Sequence, residues 1–430
     1  MVYSSYFWRV SGGSEIDFVA HGLDGIFTVA FQPGNWRVLK VMRCCRVINS
    51  VFHYNSPTKI LFLALFGVCL VACAGSHTVN TDFEHADLML EFLRNMSEGE
   101  LDSVLVDTIL ETKGMDLIIE QQNRRARINK AQYRTLLSSL LNDEVPDIEP
   151  VDSTERAKLG VRRLRANVWP ALKWAIDNVD LLEERLAFLR DLNVGSRAKK
   201  LADSFLPQPL RSIPKIFFVV GGRAGYYAGD DCIYMDLLNM SYSPKGVKPL
   251  VESKIIDFFA HEMHHVGYQD LRNKILSQLS LNETHDRAFG FVSGLVAEGS
   301  ATYLINGHCD IDLIKNDRRY AEYFTLENDL REISEGILNS ILDGHIENED
   351  DYSKATEQLL GMGYHSAGSL IMHVIYQADG LEAIMEVLQD PRRLFVEYNK
   401  AAEGLMAKPG SDSLYLFDED LVEMVAHMGQ

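Results

Sequence analysis

Cysteine is scarce in this chain, with six in 430 residues. None belongs to a CxxC pair, which excludes thiolate zinc ribbons and dithiol redox motifs. Surplus positive charge is missing as well. Lys and Arg number 42 against 61 Asp and Glu, a formal charge of −19. The acid excess is spread along the chain, so no nucleic-acid partner is expected. There is no glycine-rich phosphate loop, no internal repeat and no low-complexity tract, which sets aside P-loop nucleotide binding, solenoids and disordered linkers. What remains is 47% hydrophobic and 24% charged. That is a globular composition, large enough for one big domain or two modest ones.

No bilayer-spanning segment is offered by "ILFLALFGVCLVACAGS" either. Its apolar run covers Ile60–Ala72, preceded by Lys59 and, further back, Arg43 and Arg46. A span needs about 20 apolar residues, whereas a run of this length suits the apolar region of a signal peptide. It ends in Leu70-Val71-Ala72-Cys73, which resembles a bacterial lipobox. That resemblance implies cleavage before Cys73, lipidation of Cys73, and a membrane-anchored location in the bacterial cell envelope, periplasm or outer membrane. Residues 1–72 are then an upstream extension plus signal peptide. Met42 opens a leader of ordinary length, so 1–41 are read as an early start assignment outside the fold. Residues 73–82 are the tether of the mature chain. Cys232 and Cys309 are left, either as a pair or as two separate buried thiols.

From Phe83 to about Leu206 the pattern is helical. "DFEHADLMLEFLRNM" spaces its apolar residues at three and four, and similar stretches follow around 101–111, 130–141, 154–191 and 195–204. "NDEVPDIEPVDS", residues 142–153, is the clearest linker. The texture changes at Pro207. Apolar runs at Ile216–Val220 and Cys232–Met235, separated by a glycine-rich region, predict a hairpin or two edge strands. From Lys248 the chain is helical again. The fold class is α+β, mainly α: a helical region over 83–206, then a region over 207–430 with a small β-hairpin or sheet and a motif-bearing helix.

The motif is "DFFAHEMHHVGYQD", 257–270, in which His261-Glu262-Met263-His264-His265 matches H-E-x-x-H. Residues four apart share a helix face, so His261 and His265 can offer two imidazole nitrogens to one ion. Glu262 lies beside the metal without binding it, placed to take a proton from a water held there. Zinc suits imidazole and carboxylate donors in a tetrahedral site. His264 faces elsewhere and reads as structural. The third ligand is sought in "RAFGFVSGLVAEGSATYLI", 287–305, where Glu298 sits within an apolar helix face. A buried carboxylate left unpaired is costly, and coordination removes that cost. His285, Asp286 and His308 are alternative ligands. Gly290, Gly294 and Gly299 flank Glu298 and suit a close helix approach. "GMGYHSAG" offers Tyr364 and His365 as groups to stabilise a developing oxyanion, with Tyr364 the favoured one.

H-E-x-x-H followed by the glutamate of an "AEG-A" helix resembles the gluzincin class of zinc metallopeptidases. More narrowly, the chain is similar to a bacterial family known only as zinc-dependent peptidases of unknown substrate. The likeness extends over most of 80–402, through "VVGGRAGYYAGDDCIYMDL", "GMGYHSAGSLIMHVI" and "DPRRLFVEYNKAA". It implies a zincin-like catalytic region, with His261, His265 and Glu298 as ligands of one zinc ion per chain. Glu262 would be the general base, and a peptide or protein the substrate. Two positions depart from the pattern. Thermolysin-like members carry an aspartate four residues after the ligand glutamate, where this chain has Thr302. Gly267 replaces the usual apolar residue two places after the motif. Two other readings stay open: a non-enzymatic helical envelope lipoprotein with a structural or vestigial metal site, and a zinc hydrolase of amides outside peptides.

Overall fold

Period-two patterning, as in "EIDFVAHG" and "GIFTVAFQ", makes strands. Residues 6–41 accordingly form an antiparallel meander of β1 (Tyr6–Ser11), β2 (Glu15–Gly22), β3 (Gly25–Gln32) and β4 (Asn35–Val41). Its residues belong to a unit of their own, 1–76, separate from 77–430. The computed structural model describes the backbone of these four strands and residues 81–430. Within the latter, 124–125, 143, 212, 222–225, 229–231, 327–328, 347, 357–358 and 360–361 are left out. Cys73 and the segment expected to be a signal peptide lie outside the described residues.

The second unit is mainly helical with a small sheet, the α+β class expected. Strand β5 (Thr81–Asp82) opens it and leads into α1 (Glu84–Ser97), α2 (Ser103–Glu111), α3 (Lys113–Asn123) and α4 (Lys130–Ser138). Helix α4 starts with a reciprocal cap between Asn129 and Gln132, which satisfies two otherwise orphaned backbone donors. The acidic linker at 142–153 is not loose: Ile148 is buried and Gln132 Nε2 donates to the Glu149 carbonyl at 2.7 Å. Then come α5 (Glu155–Arg163), a π-helical turn at Leu164–Val168, α6 (Trp169–Asp177), α7 (Val179–Asp191) and α8 (Val194–Asp203).

The sheet differs from the hairpin predicted. Strands β6 (Lys215–Val219) and β8 (Cys232–Asp236) run parallel, Lys215 opposite Cys232 through Val219 opposite Asp236. A third strand too short to stand out in the sequence, β7 (Tyr226–Ala228), pairs antiparallel with β8, giving the order β5-β6-β8-β7. Parallel neighbours need a crossover of about a dozen residues, and the glycine-rich segment with β7 supplies it. Phe83 stacks on Phe218 of β6 at 4.9 Å, and Lys215 Nζ reaches Asp82 Oδ2 at 2.7 Å. The start of the unit is thereby tied to its sheet.

After a short helix, α9 (Leu237–Ser241), and the two-residue strands β9 (Tyr242–Ser243) and β10 (Gly246–Val247), the chain enters its longest uninterrupted helix, α10 (Glu252–Leu276). Glu252 in its first turn and Lys274 in its last complement the helix dipole. Phe259, Ala260 and Met263 are fully buried, and Phe259 meets Phe218 edge-on at 5.7 Å. The Phe259 and Met263 side chains each contribute about 1.5–3 kcal/mol on burial. Helix α11 (Glu283–Ser300) is capped by Asn282, whose Oδ1 accepts from His285 N at 2.8 Å, and runs into a π-helical turn at Ala301–Asn306. The stretch Glu283–Asn306 is long and apolar enough to cross a bilayer, but 78% of its apolar window is buried inside the protein. It is a core helix. The rest comprises α12 (Ile311–Lys315), α13 (Leu330–Leu342), α14 (Glu349–Ala355), α15 (Gly363–Gln389), α16 (Leu394–Met406) and α17 (Glu419–Ala426). Gly380, at φ 77°, breaks α15 into two helical pieces.

Two close approaches fix the frame. Where α11 crosses α15, a Cβ on Gly299 would stand 2.5 Å from the Gly368 backbone, and one on Gly368 would stand 2.3 Å from the Leu295 carbonyl. The helices touch backbone to backbone. Where α10 meets the end of α8, a Cβ on Gly267 would lie 2.4 Å from Leu206 Cδ1, so the departure at Gly267 makes room for Leu206. Gly290, by contrast, has nothing within 4 Å of its absent Cβ. We expect Gly299→Ala to destabilise the protein by about 1–3 kcal/mol through overpacking. Gly290→Ala should gain up to about 1 kcal/mol from helix propensity alone. Chemical denaturation of the two variants side by side checks the contrast.

Candidate metal centre

Three helices bring the site together. Helix α10 contributes His261 and His265, whose rings meet edge-on at 4.5 Å, as the four-residue spacing requires. Helix α11 contributes Glu298 and the first turn of α15 contributes His365. The Nε2 atoms of His261, His265 and His365 lie 3.5, 3.2 and 2.9 Å from Glu298 Oε2, and those of His261 and His265 are 2.9 Å apart. Donors around one tetrahedral zinc with bonds of 2.0–2.1 Å stand about 3.3 Å from one another. The cluster therefore has the spacing of a ligand set drawn around a small ion. Among the described residues, His261, Glu298 and His365 also form a group whose donor atoms lie within 4.8 Å of one another.

The chemistry of Glu298 supports a cation here. Its Oε2 is sealed from solvent and meets no donor in hydrogen-bond geometry, despite three imidazole nitrogens around it. A buried carboxylate oxygen in that state is normally explained by a partner such as an ion. Burial works to raise its pKa, but the neighbouring His265 charge and the surrounding imidazoles hold it well below the usual range. It stays ionised. Burial likewise opposes charge on His265, yet Glu298, helped by Glu262, raises that imidazole to about 9. His261 goes the other way, to about 4, through burial and the adjacent His265. Glu262 is pushed up to about 7 by burial, with Glu298 adding to the effect and His265 opposing it. A carboxylate poised near neutrality is what a general base requires.

The surroundings sort the remaining candidates. His264, buried, turns away and pairs through Nε2 with the Phe205 carbonyl at 3.1 Å, with its pKa lowered by burial to about 3. It ties α10 to the segment after α8. Tyr364 has its hydroxyl 3.1 Å from that of Tyr352, its ring edge-on to Phe291 at 5.5 Å, and packs over Gly294. These contacts are with the α11–α14 side, not with the imidazoles. His365 instead stacks on His261, 5.7 Å between centroids and 8° between planes. His285 and Asp286 sit in the first turn of α11, about 20 Å along the helix from Glu298 at 1.5 Å per residue. His308 pairs with Asp257 at 3.3 Å.

Two neighbours of the cluster escaped the sequence reading. Tyr320, buried, has its ring 5.9 Å from that of His365. Burial raises its pKa, and the Asp317 and Glu298 charges add to that. Asn306 Oδ1 lies 2.8 Å from His261 Nδ1. Neither follows a recognised spacing from the motif, so nothing in the sequence alone singled them out.

Two imidazoles and a carboxylate, converging with an ionisable glutamate beside them, make a zinc-type donor set. A family model described as "Putative zinc dependent peptidase (DUF5700)" matches residues 106–406, more than half of the chain, and the chain belongs to that family. No curated protein and no solved structure matches it.

Ligands bind metal only when deprotonated. With His265 at about 9, zinc uptake displaces its proton. We expect apparent zinc affinity, measured by chelator competition, to rise about tenfold per pH unit between pH 7 and 9 and to level off above. A flat profile would show that His265 carries no proton to displace.

Proposed function

We propose that the protein is a zinc-dependent metallopeptidase in which His261, His265 and Glu298 hold the ion and Glu262 is the general base. The single observation that carries this is the convergence of the His261 and His265 Nε2 atoms on the solvent-sealed Glu298 Oε2, at 3.5 and 3.2 Å, with Glu262 at a pKa of about 7 next to it. Bound zinc would supply Lewis-acid activation of water and polarisation of the scissile carbonyl. Glu262 takes the proton that water loses and hands it to the leaving amine, so its charge is regained within one turnover. His365, with its Nε2 facing the cluster, supplies a donor toward the oxygen on which negative charge grows. Strand β7, at one edge of the sheet, offers an extended peptide an edge for main-chain pairing. The lipobox ending in Cys73 supports a lipid-anchored cell-envelope location, with peptides or proteins of that compartment as substrates.

A second reading is favoured by one distance. His365 Nε2, 2.9 Å from Glu298 Oε2, would as a fourth protein ligand close the coordination sphere and leave a structural metal in a non-enzymatic lipoprotein. Glu262→Gln separates the two. For the peptidase, the variant retains about one zinc per chain while peptide-library cleavage falls by about 10²–10⁴-fold. If the unsubstituted zinc protein cleaves nothing that the variant spares, the structural reading holds instead.

A further inference from the structure

The π-helical turn that ends the Glu298 helix has a consequence for His261. At about 100° per residue, a regular α-helix would bring position 305 back to the face of Glu298 seven residues earlier. Over Ala301–Asn306 the helix widens, and Gly307 N bonds to the Thr302 carbonyl five residues back at 2.8 Å. A turn of that kind absorbs one extra residue. The face of Glu298 is therefore regained at Asn306, and Ile305 is fully buried instead. Asn306 Oδ1 then reaches His261 Nδ1 at 2.8 Å.

Asn306 is also held in place from behind. Cys309 N bonds to the Tyr303 carbonyl, and Tyr303 Oη donates to the Cys309 carbonyl, both at 2.9 Å. His308 and Cys309 take left-handed backbone, φ 49° and 63°, which turns the chain away directly after the site. Gly307 permits the packing, since a Cβ there would stand 2.7 Å from Ile314 Cδ1.

We infer that Asn306 is a positioning residue of the metal centre: its carbonyl oxygen accepts from His261 Nδ1–H and so fixes the tautomer that leaves Nε2 free for the ion. This rests on the zinc reading above. Metal-bound histidines usually give their other N–H to a carboxylate, a backbone carbonyl or water. A side-chain amide orients the ring as a carboxylate does but adds no negative charge to the cluster beyond that of its glutamates.

The test is zinc affinity of the full chain by chelator competition, beside Asn306→Ala and Asn306→Asp, with melting of each metal-free protein as the check on folding. Asn306→Ala is expected to bind zinc about 10–100-fold more weakly at unchanged metal-free melting. Asn306→Asp, which can only accept, should bind at least as tightly as the unsubstituted chain. Zinc bound equally well by Asn306→Ala overturns the inference while leaving the zinc reading intact. Loss in both variants also overturns it, because the amide would then be acting as donor or as packing. No zinc on the unsubstituted chain overturns both readings.

Discussion

The backbone contact between Gly299 and Gly368 is the constraint on which the site depends. Two helices normally keep their axes 8–10 Å apart because side chains stand between them. Here neither partner has a Cβ at the crossing, and the α11 and α15 backbones meet directly. Glu298 is the residue just before one glycine, and His365 lies one turn before the other. The crossing therefore brings a carboxylate and an imidazole within 2.9 Å. Without it Glu298 and His365 would belong to helices too far apart to meet His261 and His265.

The electrostatics follow from that geometry. Gathering three imidazoles and two carboxylates in a largely buried cluster cannot leave them all at their solution pKa values. Their charges partition: Glu298 ionised, His265 carrying a proton up to about 9, His261 neutral down to about 4, and Glu262 balanced near 7. In the metal-free protein the His265 proton stands in for part of a cation's charge. The site is thus preorganised for a positive ion, with an acid–base group left over for chemistry.

Much of this was legible in the sequence. The H-E-x-x-H spacing determined the His261–His265 face because helix geometry makes four residues one turn. Glu298 stood out as a carboxylate among apolar neighbours, and the glycines around it foretold a close approach, although only Gly299 makes the backbone contact and Gly290 faces open space. What the sequence did not disclose depends on departures from regular periodicity or on distant segments. Asn306 is in place only because a π turn shifts the register by one. Tyr320 arrives from a loop. The parallel pairing of β6 with β8 hides behind apolar runs that a hairpin would explain equally well. His365 came out of the same glycine-flanked segment as Tyr364, but the sequence favoured Tyr364, whereas it is His365 that turns toward Glu298 while Tyr364 packs against Phe291 and Tyr352.

The anchoring of α10 on the segment after α8 bears on how the protein is put together. The Phe205 carbonyl holds His264 and Leu206 fills the notch at Gly267, so the helical first half acts as a brace against the back of the motif helix. The metal-bearing half is consequently not a cassette that could be lifted out or grafted elsewhere. Its active face is kept in register by residues contributed more than fifty positions earlier, so both halves of the unit must evolve, and fold, as one.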